Sequence, residues 1–483
     1  MIKTFKVEEY PLDICQTKIL LTNTNILAIA GAGSGKTLTI IGKINYLIEY
    51  KNILPHEILV ISFTNSSTND LKKRIGYDVS IYTFHKLAMN ILKMNNISYS
   101  LCSSKMLNFI IKEYLMTCSI LEQKYILRFL KINYSYKKFT KSSEFFLFCN
   151  FVESFINLYQ TLNFNKNMLF KIKFFQKEKC ILLIIFKIYK FFLSEKQSSN
   201  LMDFDDLIIS ATKYVEHTHL PFKYIIIDEF QDSSFIRLNL IYEIYKHTNS
   251  KIIVVGDDWQ SIYRFSGCDL SIFLNFQKTF PNVKRINLKN TYRNSQELIN
   301  FASKFIQKNP NQLKKVLYSN KKNSIPIIFV PYKNKKSKLK KILNSLISKT
   351  DDVMILSRNN RDIYEYLDND CLFNDNVLCY NEHKFKFLTI HKSKGLEAKY
   401  IIILNCNDEY LGFPNKIENN SITQKIFPNE SYKFAEERRL FYVALTRCKI
   451  TTYIMYHEKN PSKFVIELKK IIKKSKNKIV YFK

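Results

Sequence analysis

A chain of 483 residues is long for one hydrophobic core and sets the expectation of several domains. Hydrophobic residues make up 46% of it, which excludes a disordered or fibrous protein. The net charge of +32 points to a polyanion such as nucleic acid, with a plain solubility role as the alternative. The ten cysteines form no C-x-x-C pair and no Cys/His group at zinc-finger spacing, so reduced thiols in an intracellular setting are expected rather than a structural metal. The start, Met1-Ile2-Lys3-Thr4-Phe5-Lys6, lacks the pattern of a signal peptide. The most apolar stretch, 180–193, is cut by Lys187 and Lys190 and is too short to span a bilayer, so no membrane role is expected.

Near the start, Pro11-Leu12-Asp13-Ile14-Cys15-Gln16 lies one short helix before the first strand, and the Gln16 amide has the donor and acceptor that match an adenine edge. The apolar run Ile26-Leu27-Ala28-Ile29 then leads into Ala30-Gly31-Ala32-Gly33-Ser34-Gly35-Lys36-Thr37, followed by Leu38-Thr39-Ile40-Ile41. Strand, glycine loop and helix is the layout of a phosphate-binding loop. Its backbone N–H groups and the helix N-terminus face an anion, Lys36 reaches the β/γ-phosphates, and the Thr37 hydroxyl ligates Mg²⁺. Ala30 stands where the strict pattern has glycine. The chain has nine glycines in all, and Gly31, Gly33, Gly35, Gly256, Gly267 and Gly395 fall in or beside the motifs described here.

The β-branched run Ile58-Leu59-Val60-Ile61-Ser62 reads as a buried strand that presents Phe63, Thr64 and Asn65 at its C-terminal end, where open α/β sheets bind ligands. Val79 to His85 repeats the pattern, with His85 read first as a hydrogen-bonded structural residue. Residues 88–200 lack glycine and are dense in Leu, Ile, Phe and Lys at helical spacing, which predicts an inserted helical subdomain.

The α/β pattern resumes at Tyr224-Ile225-Ile226-Ile227, which ends in Asp228 and Glu229. One carboxylate to hold Mg²⁺ and one to activate water is what a phosphate-loop NTPase needs. The strand Lys251 to Val255 runs into Gly256-Asp257-Asp258-Trp259-Gln260-Ser261-Ile262-Tyr263-Arg264-Phe265. Gln260 is placed to sense a γ-phosphate, Tyr263 and Phe265 offer aromatic faces, and Trp259 is equally packing or contact. In Asn290-Thr291-Tyr292-Arg293, Tyr292 suits stacking on a base and Arg293 suits a phosphate.

A second α/β unit has strands at Ile327 to Val330 and Val353 to Leu356, with a lysine run (Lys333 to Lys341) between them that reads as a solvated helix face. Thr389-Ile390-His391-Lys392-Ser393-Lys394-Gly395-Leu396-Glu397 precedes a strand at Tyr400 to Leu404. Glu436 to Arg447 reads as a helix with an arginine at its end, and Lys469 to Lys478 as a basic tail.

In this order, Gln16, AGAGSGKT, SFTN, TFH, DEFQDS, GDDWQSIYRF, TYRNS, TIHKSKGLE and RRLFYVALTR resemble the superfamily 1 DNA helicases of the UvrD/Rep type, over nearly the whole chain. The resemblance implies an α/β fold of two RecA-like P-loop NTPase domains with an inserted helical subdomain, divided as 1–87 with 201–283, 88–200, and 284–483. It implies ATP and Mg²⁺ as cofactors and single-stranded DNA and tailed duplex DNA as partners. The implied activity is 3′-to-5′ translocation coupled to strand separation in replication, repair or recombination. By position, Ala30 to Thr37 bind the phosphates, Asp228 the metal, and Glu229 is the general base. Gln260 reads the γ-phosphate, Gln16 and Tyr292 hold the adenine, and Arg293 and Arg447 are arginine fingers. Glu397 lies at the ribose or cleft, and Phe63, Thr64, Asn65, His85, Tyr263, Phe265 and His391 line the strand track. Between Arg293 and Thr389 there is room for the domain's own elements alone, so the large regulatory insertion is expected to be absent, as in the compact helicase IV-type branch. From the stretch after Arg447, neither a long strand-separating hairpin nor an appended nuclease is expected. Leu38 and Ser266 replace arginines usual in the family.

Overall fold

The computed structural model describes residues 5–103, 105–162, 171–417, 420–427 and 430–482. Six strands build the first sheet: β1 (Asn25–Ile29), β2 (Ile58–Ser62), β3 (Ser80–Thr83), β4 (Tyr224–Ile227), β5 (Lys251–Gly256) and β6 (Val283–Asn287). Their spatial order is β6-β1-β5-β4-β2-β3, and every neighbouring pair is parallel. A parallel sheet must be covered on both faces, which explains why β1, β2 and β4 are buried at every position. Helices α1 (Ile14–Leu21), α2 (Lys36–Lys51) and α3 (Asn65–Arg74) cover one face with Ile19, Ile40, Ile44, Leu47 and Leu71. The other face receives α4 (Phe84–Met94).

The chain then leaves the sheet for a helical body with its own core, formed by α5 (Met106–Thr117), α6 (Ile120–Leu130), α7 (Ser143–Thr161) and α8 (Gln176–Ser198). It returns as α9 (Phe204–Tyr214) and α10 (Phe235–Thr248), which pack beside α4 through Leu207, Ile208, Ala211, Leu240 and Ile241. The boundary expected at 87/88 therefore falls inside α4, whose Ala88, Ile91 and Leu92 belong to the first sheet's core. The boundary expected at 283/284 falls inside β6, which pairs with β1 along its whole length.

After β6, helix α11 (Gln296–Ile306) packs Leu298, Phe301 and Phe305 on a second sheet. That sheet comprises β7 (Ile327–Tyr332), β8 (Val353–Ser357), β9 (Cys371–Asn374), β10 (Val377–Tyr380), β11 (His383–Thr389), β12 (Ala398–Ile403), β13 (Cys448–His457) and β14 (Val480–Tyr481), in the order β9-β10-β11-β8-β12-β13-β7-β14. The β9–β10–β11 meander is antiparallel, and the remaining pairs are parallel. Helix α12 (Lys335–Ile347) covers one face through Leu339, Ile342, Leu343 and Leu346. Helices α13 (Ala435–Leu445) and α14 (Lys463–Lys474) join α11 on the other. The segment read as a basic tail is thus largely helix α14, which buries Phe464, Val465, Leu468, Ile471 and Ile472 and turns Lys470, Lys473 and Lys474 outward.

A small apolar cluster of Ala32, Trp259, Ile299, Ala302, Ile306, Leu317 and Tyr442 joins the two α/β units. A short helix, Ser421–Ile426, reaches from the second unit into the helical body with Ile422 and Ile426, and Lys425 pairs there with Glu178. Among the described residues no helix is long and apolar enough to cross a membrane.

Candidate functional site

The phosphate loop follows β1 directly. Gly33 and Gly35 hold φ of +69° and +75°, a left-handed backbone that only glycine adopts at little cost. Both also lie too close to neighbours for a side chain: a Cβ on Gly33 would sit 2.5 Å from Arg293 Cβ, and one on Gly35 2.8 Å from Gln16 Nε2. The loop is therefore packed against residues expected to touch the same nucleotide. Its backbone is tied to them as well, since the Tyr292 N–H donates to Gly33 O at 2.8 Å and Thr291 Oγ1 donates to Ala32 O at 2.7 Å.

Asp13 caps α1 and exchanges hydrogen bonds with Gln16, accepting from its N–H and donating its own N–H to Gln16 Oε1. Asp13 also accepts from the Tyr292 hydroxyl at 3.0 Å, which holds the tyrosine ring upright with much of its surface exposed. Gln16 Nε2 and Ser34 Oγ are buried without a hydrogen-bond partner. Buried donors are normally satisfied, so two orphans at a glycine cradle fit a ligand with acceptor atoms. An adenine over Gln16 and phosphates over Ser34 match that chemistry.

Lys36 opens α2, and its Nζ lies 2.5 Å from Glu229 Oε1. Glu229 takes a positive φ just after β4, accepts from Gln231 Nε2 at 2.6 Å, and has Lys394 Nζ at 3.9 Å. Burial pushes the Glu229 carboxyl up, but the Lys36 and Lys394 charges outweigh it and hold the group below the usual carboxylate range. Asp228 is shifted the opposite way, raised by burial and by the neighbouring Glu229 charge. Two adjacent acids driven apart in this way can take different roles.

Two arginines complete the site, Arg293 from the connection between β6 and α11 and Arg447 from the residues just after α13. Arg447, at the end of α13, is buried and donates from Nη2 to Gln260 Oε1 at 2.8 Å. Burial and the neighbouring Arg293 charge lower it to about 9, so it stays cationic at neutral pH. Arg293 donates to Glu397 at 2.6 Å, and Glu397 pairs with Lys449 at 2.8 Å. Glu397, expected at the ribose or cleft, therefore also orients an arginine. The amide of Gln260 donates to Asp257 Oδ2 at 2.6 Å, so it bridges the end of β5 to Arg447. The structure thus brings Gln16, the loop residues, Asp228, Glu229, Gln260, Tyr292, Arg293, Glu397 and Arg447 into one connected site.

The residues expected to touch a strand form two groups, the first just past the ends of β2 and β3, the second made by the loop after β5 and the residues just past β11. In the first, Phe63 meets Phe84 edge-on at 5.3 Å with the Arg237 guanidinium 5.4 Å above its ring, and His85 lies 4.9 Å from the ring of Phe204. Thr64 caps α3 by accepting from the Ser67 N–H, and Asn65 is exposed beside it. In the second, Phe265 meets His391 edge-on at 5.4 Å and is 69% exposed, which leaves a ring face free for stacking. The Tyr263 hydroxyl donates to His391 O at 3.0 Å. Burial lowers His85 and His391 to about 4 each, helped by Arg237 and by Arg358 with Lys394 respectively. Trp259 is wholly buried, donates to Leu313 O at 3.0 Å and packs edge-on against Tyr442, so packing is its role.

Sequence reasoning missed Gln231, Asp232, Lys394 and Arg237 as individual site residues. Lys394 is the most consequential, because it pairs with Asp232, donates to Gln260 O at 2.7 Å and lies 5.2 Å from the Tyr263 ring. One side chain therefore touches both the acid cluster and the aromatic group. Its signal was a lysine one residue before a glycine of φ +86°, in a motif otherwise read for His391 and Glu397.

A phosphate loop backed by two acids, facing arginines from a second, mainly parallel sheet, is the arrangement of a P-loop NTPase built from two RecA-like units. Residues 13–281 match the UvrD/REP helicase N-terminal domain and residues 363–459 the UvrD-like helicase C-terminal domain, and the chain belongs to the UvrD/REP helicase family. It is 27% identical to DNA helicase IV of Escherichia coli (strain K12), over 96% of this chain and 71% of that protein. It is 30% identical to the ATP-dependent DNA helicase Rep of Buchnera aphidicola subsp. Schizaphis graminum (strain Sg), over 70% of this chain and 50% of the relative. The ATP-dependent DNA helicase PcrA of Bacillus subtilis (strain 168) is 27% identical over 71% of this chain, a match that covers 47% of PcrA. The matches to Rep and PcrA thus span about half the length of those relatives.

Proposed function

We propose that this chain hydrolyses ATP in the cleft between its two sheets and uses closure and release of that cleft to move along single-stranded DNA. By family likeness the direction is 3′ to 5′, and a tailed duplex is the substrate whose strands are separated. The observation that carries this reading is the shared site. Lys36 and Thr37 open α2 and Asp228 and Glu229 follow β4 in the first unit, whereas Arg447 follows α13 of the second and Arg293 donates to Glu397 there.

Thr37 and Asp228 would hold Mg²⁺, which supplies charge neutralisation on the phosphate oxygens. A phosphate in the loop competes with Glu229 for Lys36. Once that ion pair opens, Glu229 regains basicity and can accept a proton from the attacking water while Gln231 keeps it oriented. Arg293 and Arg447 stabilise charge on the transferred group, a contribution of ~10³–10⁵ in rate for such arginines. Because they come from the second unit, their engagement closes the cleft. Lys394 then relates the acids to Tyr263 and His391, so the grip on a base follows the state of the cleft. Each aromatic stack contributes ~1–3 kcal/mol without regard to sequence.

A second reading, a DNA-stimulated translocase that displaces bound proteins or recruits partners without opening duplex, is favoured by one observation. The span between Arg293 and Thr389 is filled by α11, β7, α12, β8 and the β9–β10–β11 meander, all parts of the second unit itself. Strand displacement on duplexes with 3′ or 5′ tails, run beside ATP turnover with and without single-stranded DNA, tests both readings. Displacement of the 3′-tailed substrate alone supports the first. DNA-stimulated turnover without displacement supports the second, and DNA-independent turnover or none overturns both.

A further inference from the structure

Lys315 lies on the segment that leaves α11 and runs past the phosphate loop before β7. Its side chain is 3% exposed. An ammonium is strongly hydrated in water, so burial on this scale requires complete pairing. Lys315 Nζ donates to Ala30 O at 2.9 Å, pairs with Asp258 Oδ1 at 2.6 Å and with Asp257, and sits 4.5 Å from the Trp259 ring centroid. Both carboxylates are wholly buried.

We propose that Lys315 is a positioning residue for ATP turnover: by holding Asp257 it fixes the amide of Gln260, and through that amide Arg447, against the first residue of the phosphate loop. The inference rests on the ATP-hydrolysis reading above. An ionised carboxylate only accepts hydrogen bonds and a guanidinium only donates them, so a glutamine between the two has one possible orientation. Gln260 adopts it, with Nε2 toward Asp257 and Oε1 toward Arg447. Asp257 without its cation would draw another donor, and the amide would lose the fixed acceptor that orients it. The same aspartate reaches the acid cluster, because its N–H donates to Gln231 Oε1 at 2.9 Å and Gln231 Nε2 bonds Glu229. Two residues beyond Lys315, the Leu317 side chain fills the space where a Cβ on Gly31 would stand. Asp258 anchors the segment by accepting from the Leu313 N–H at 2.8 Å and Gln312 Nε2 at 2.7 Å.

The experiment measures kcat and KM for ATP with saturating single-stranded oligonucleotide in the wild type, Lys315→Met, Lys315→Arg, Asp257→Asn and the Lys315→Met/Asp257→Asn double variant. Lys315→Met is expected to lower kcat about tenfold or more with KM changed less than about threefold, since an interaction used in the transition state is lost. Asp257→Asn should lose a similar factor, and the double variant no more than the weaker single one, because both act through one pair. Lys315→Arg, which keeps the cation, should recover most of the rate. An unchanged kcat in Lys315→Met, a loss confined to KM, or losses that multiply in the double variant overturn the inference. Should Lys315→Met fail to fold in thermal melts, Asp257→Asn decides: near-wild-type kcat overturns the inference, and a loss of about tenfold at an unchanged melting temperature supports it. Absence of turnover in the wild type overturns the hydrolysis reading and this inference together, whereas equal turnover in wild type and Lys315→Met overturns this inference alone.

Discussion

Glu229 is held by Lys36 at 2.5 Å, by Gln231 and by the more distant Lys394, and each contact favours the carboxylate over the acid. A base must be ionised to accept a proton, yet a carboxylate paired with two cations is a weak base. Release of Lys36 to a phosphate resolves that conflict and ties proton acceptance to nucleotide binding. Glu229→Gln should therefore lower ATP turnover by about 10²–10⁴-fold while nucleotide affinity stays within a few fold, as loss of a general base does. Phosphate release and titration with a fluorescent nucleotide measure the two quantities, and normal turnover would place the base elsewhere. His391 gives a pH dependence of definite sign. Folded, it takes up a proton only near about 4, against 6.5 for its ordinary value. Across that window the unfolded chain binds more protons, so this residue's contribution to stability falls as the pH drops from 6.5 toward 4. The raised Asp228 and Asp232 act in the opposite direction, so the comparison with His391→Gln isolates the effect. Between about pH 6.5 and 4.5 the wild-type melting temperature should fall more than that of His391→Gln.

Helix α14 shows what sequence pattern carries and what it hides. Phe464, Val465, Leu468, Ile471 and Ile472 recur at helical spacing on the buried side, while Lys470, Lys473 and Lys474 face solvent. Read for charge, the stretch is a basic tail; read for period, it is an amphipathic helix. Leu468→Ala should cost about 2–5 kcal/mol in chemical denaturation, as large-to-small changes in a core do, and Lys470→Ala less than about 0.5 kcal/mol. Equal small effects would mean that α14 is not part of the core. The phosphate loop, the acids after β4 and the arginine after α13 were legible because each couples a strict residue type to a strand or helix end. Other features were not. The glycine-free, Leu- and Ile-rich composition that predicts the helical body already begins inside α4, so composition does not mark where the first core ends, although α4 itself stops at Asn95. Strand β6 lies at the edge of its sheet, with Lys284 and Arg285 exposed, and lacks the all-apolar run of a central strand. The roles of Lys315 and Lys394 depend on partners far away in sequence, such as Asp257 and Asp232, which no local pattern brings together.

The excess positive charge is spread over the molecule, and the ion pairs divide it into parts with different expected roles. On α12, Lys335 pairs with Glu365 at 2.5 Å and Lys340 with Asp370 at 2.5 Å and Asp368 at 2.7 Å. Those lysines are already neutralised, in keeping with a solvated helix face. Lys86 is exposed on the first turn of α4, next to His85 and after the C-terminal end of β3, where the first group of strand-binding candidates lies. Phosphate contacts release counterions from a single strand with a slope of about −0.7 per contact in log affinity against log salt, so about five contacts cost about 10²-fold in affinity between ~50 and ~200 mM salt. Titrations of a fluorescent single-stranded oligonucleotide at several salt concentrations should give such a slope for the wild type. Lys86→Ala should make the slope shallower by about 0.7, and Lys340→Ala should leave it unchanged. A flat wild-type slope would assign the charge to solubility, and a shallower slope for Lys340→Ala would place the DNA on the second unit's α12 face instead of along the strand ends of the first.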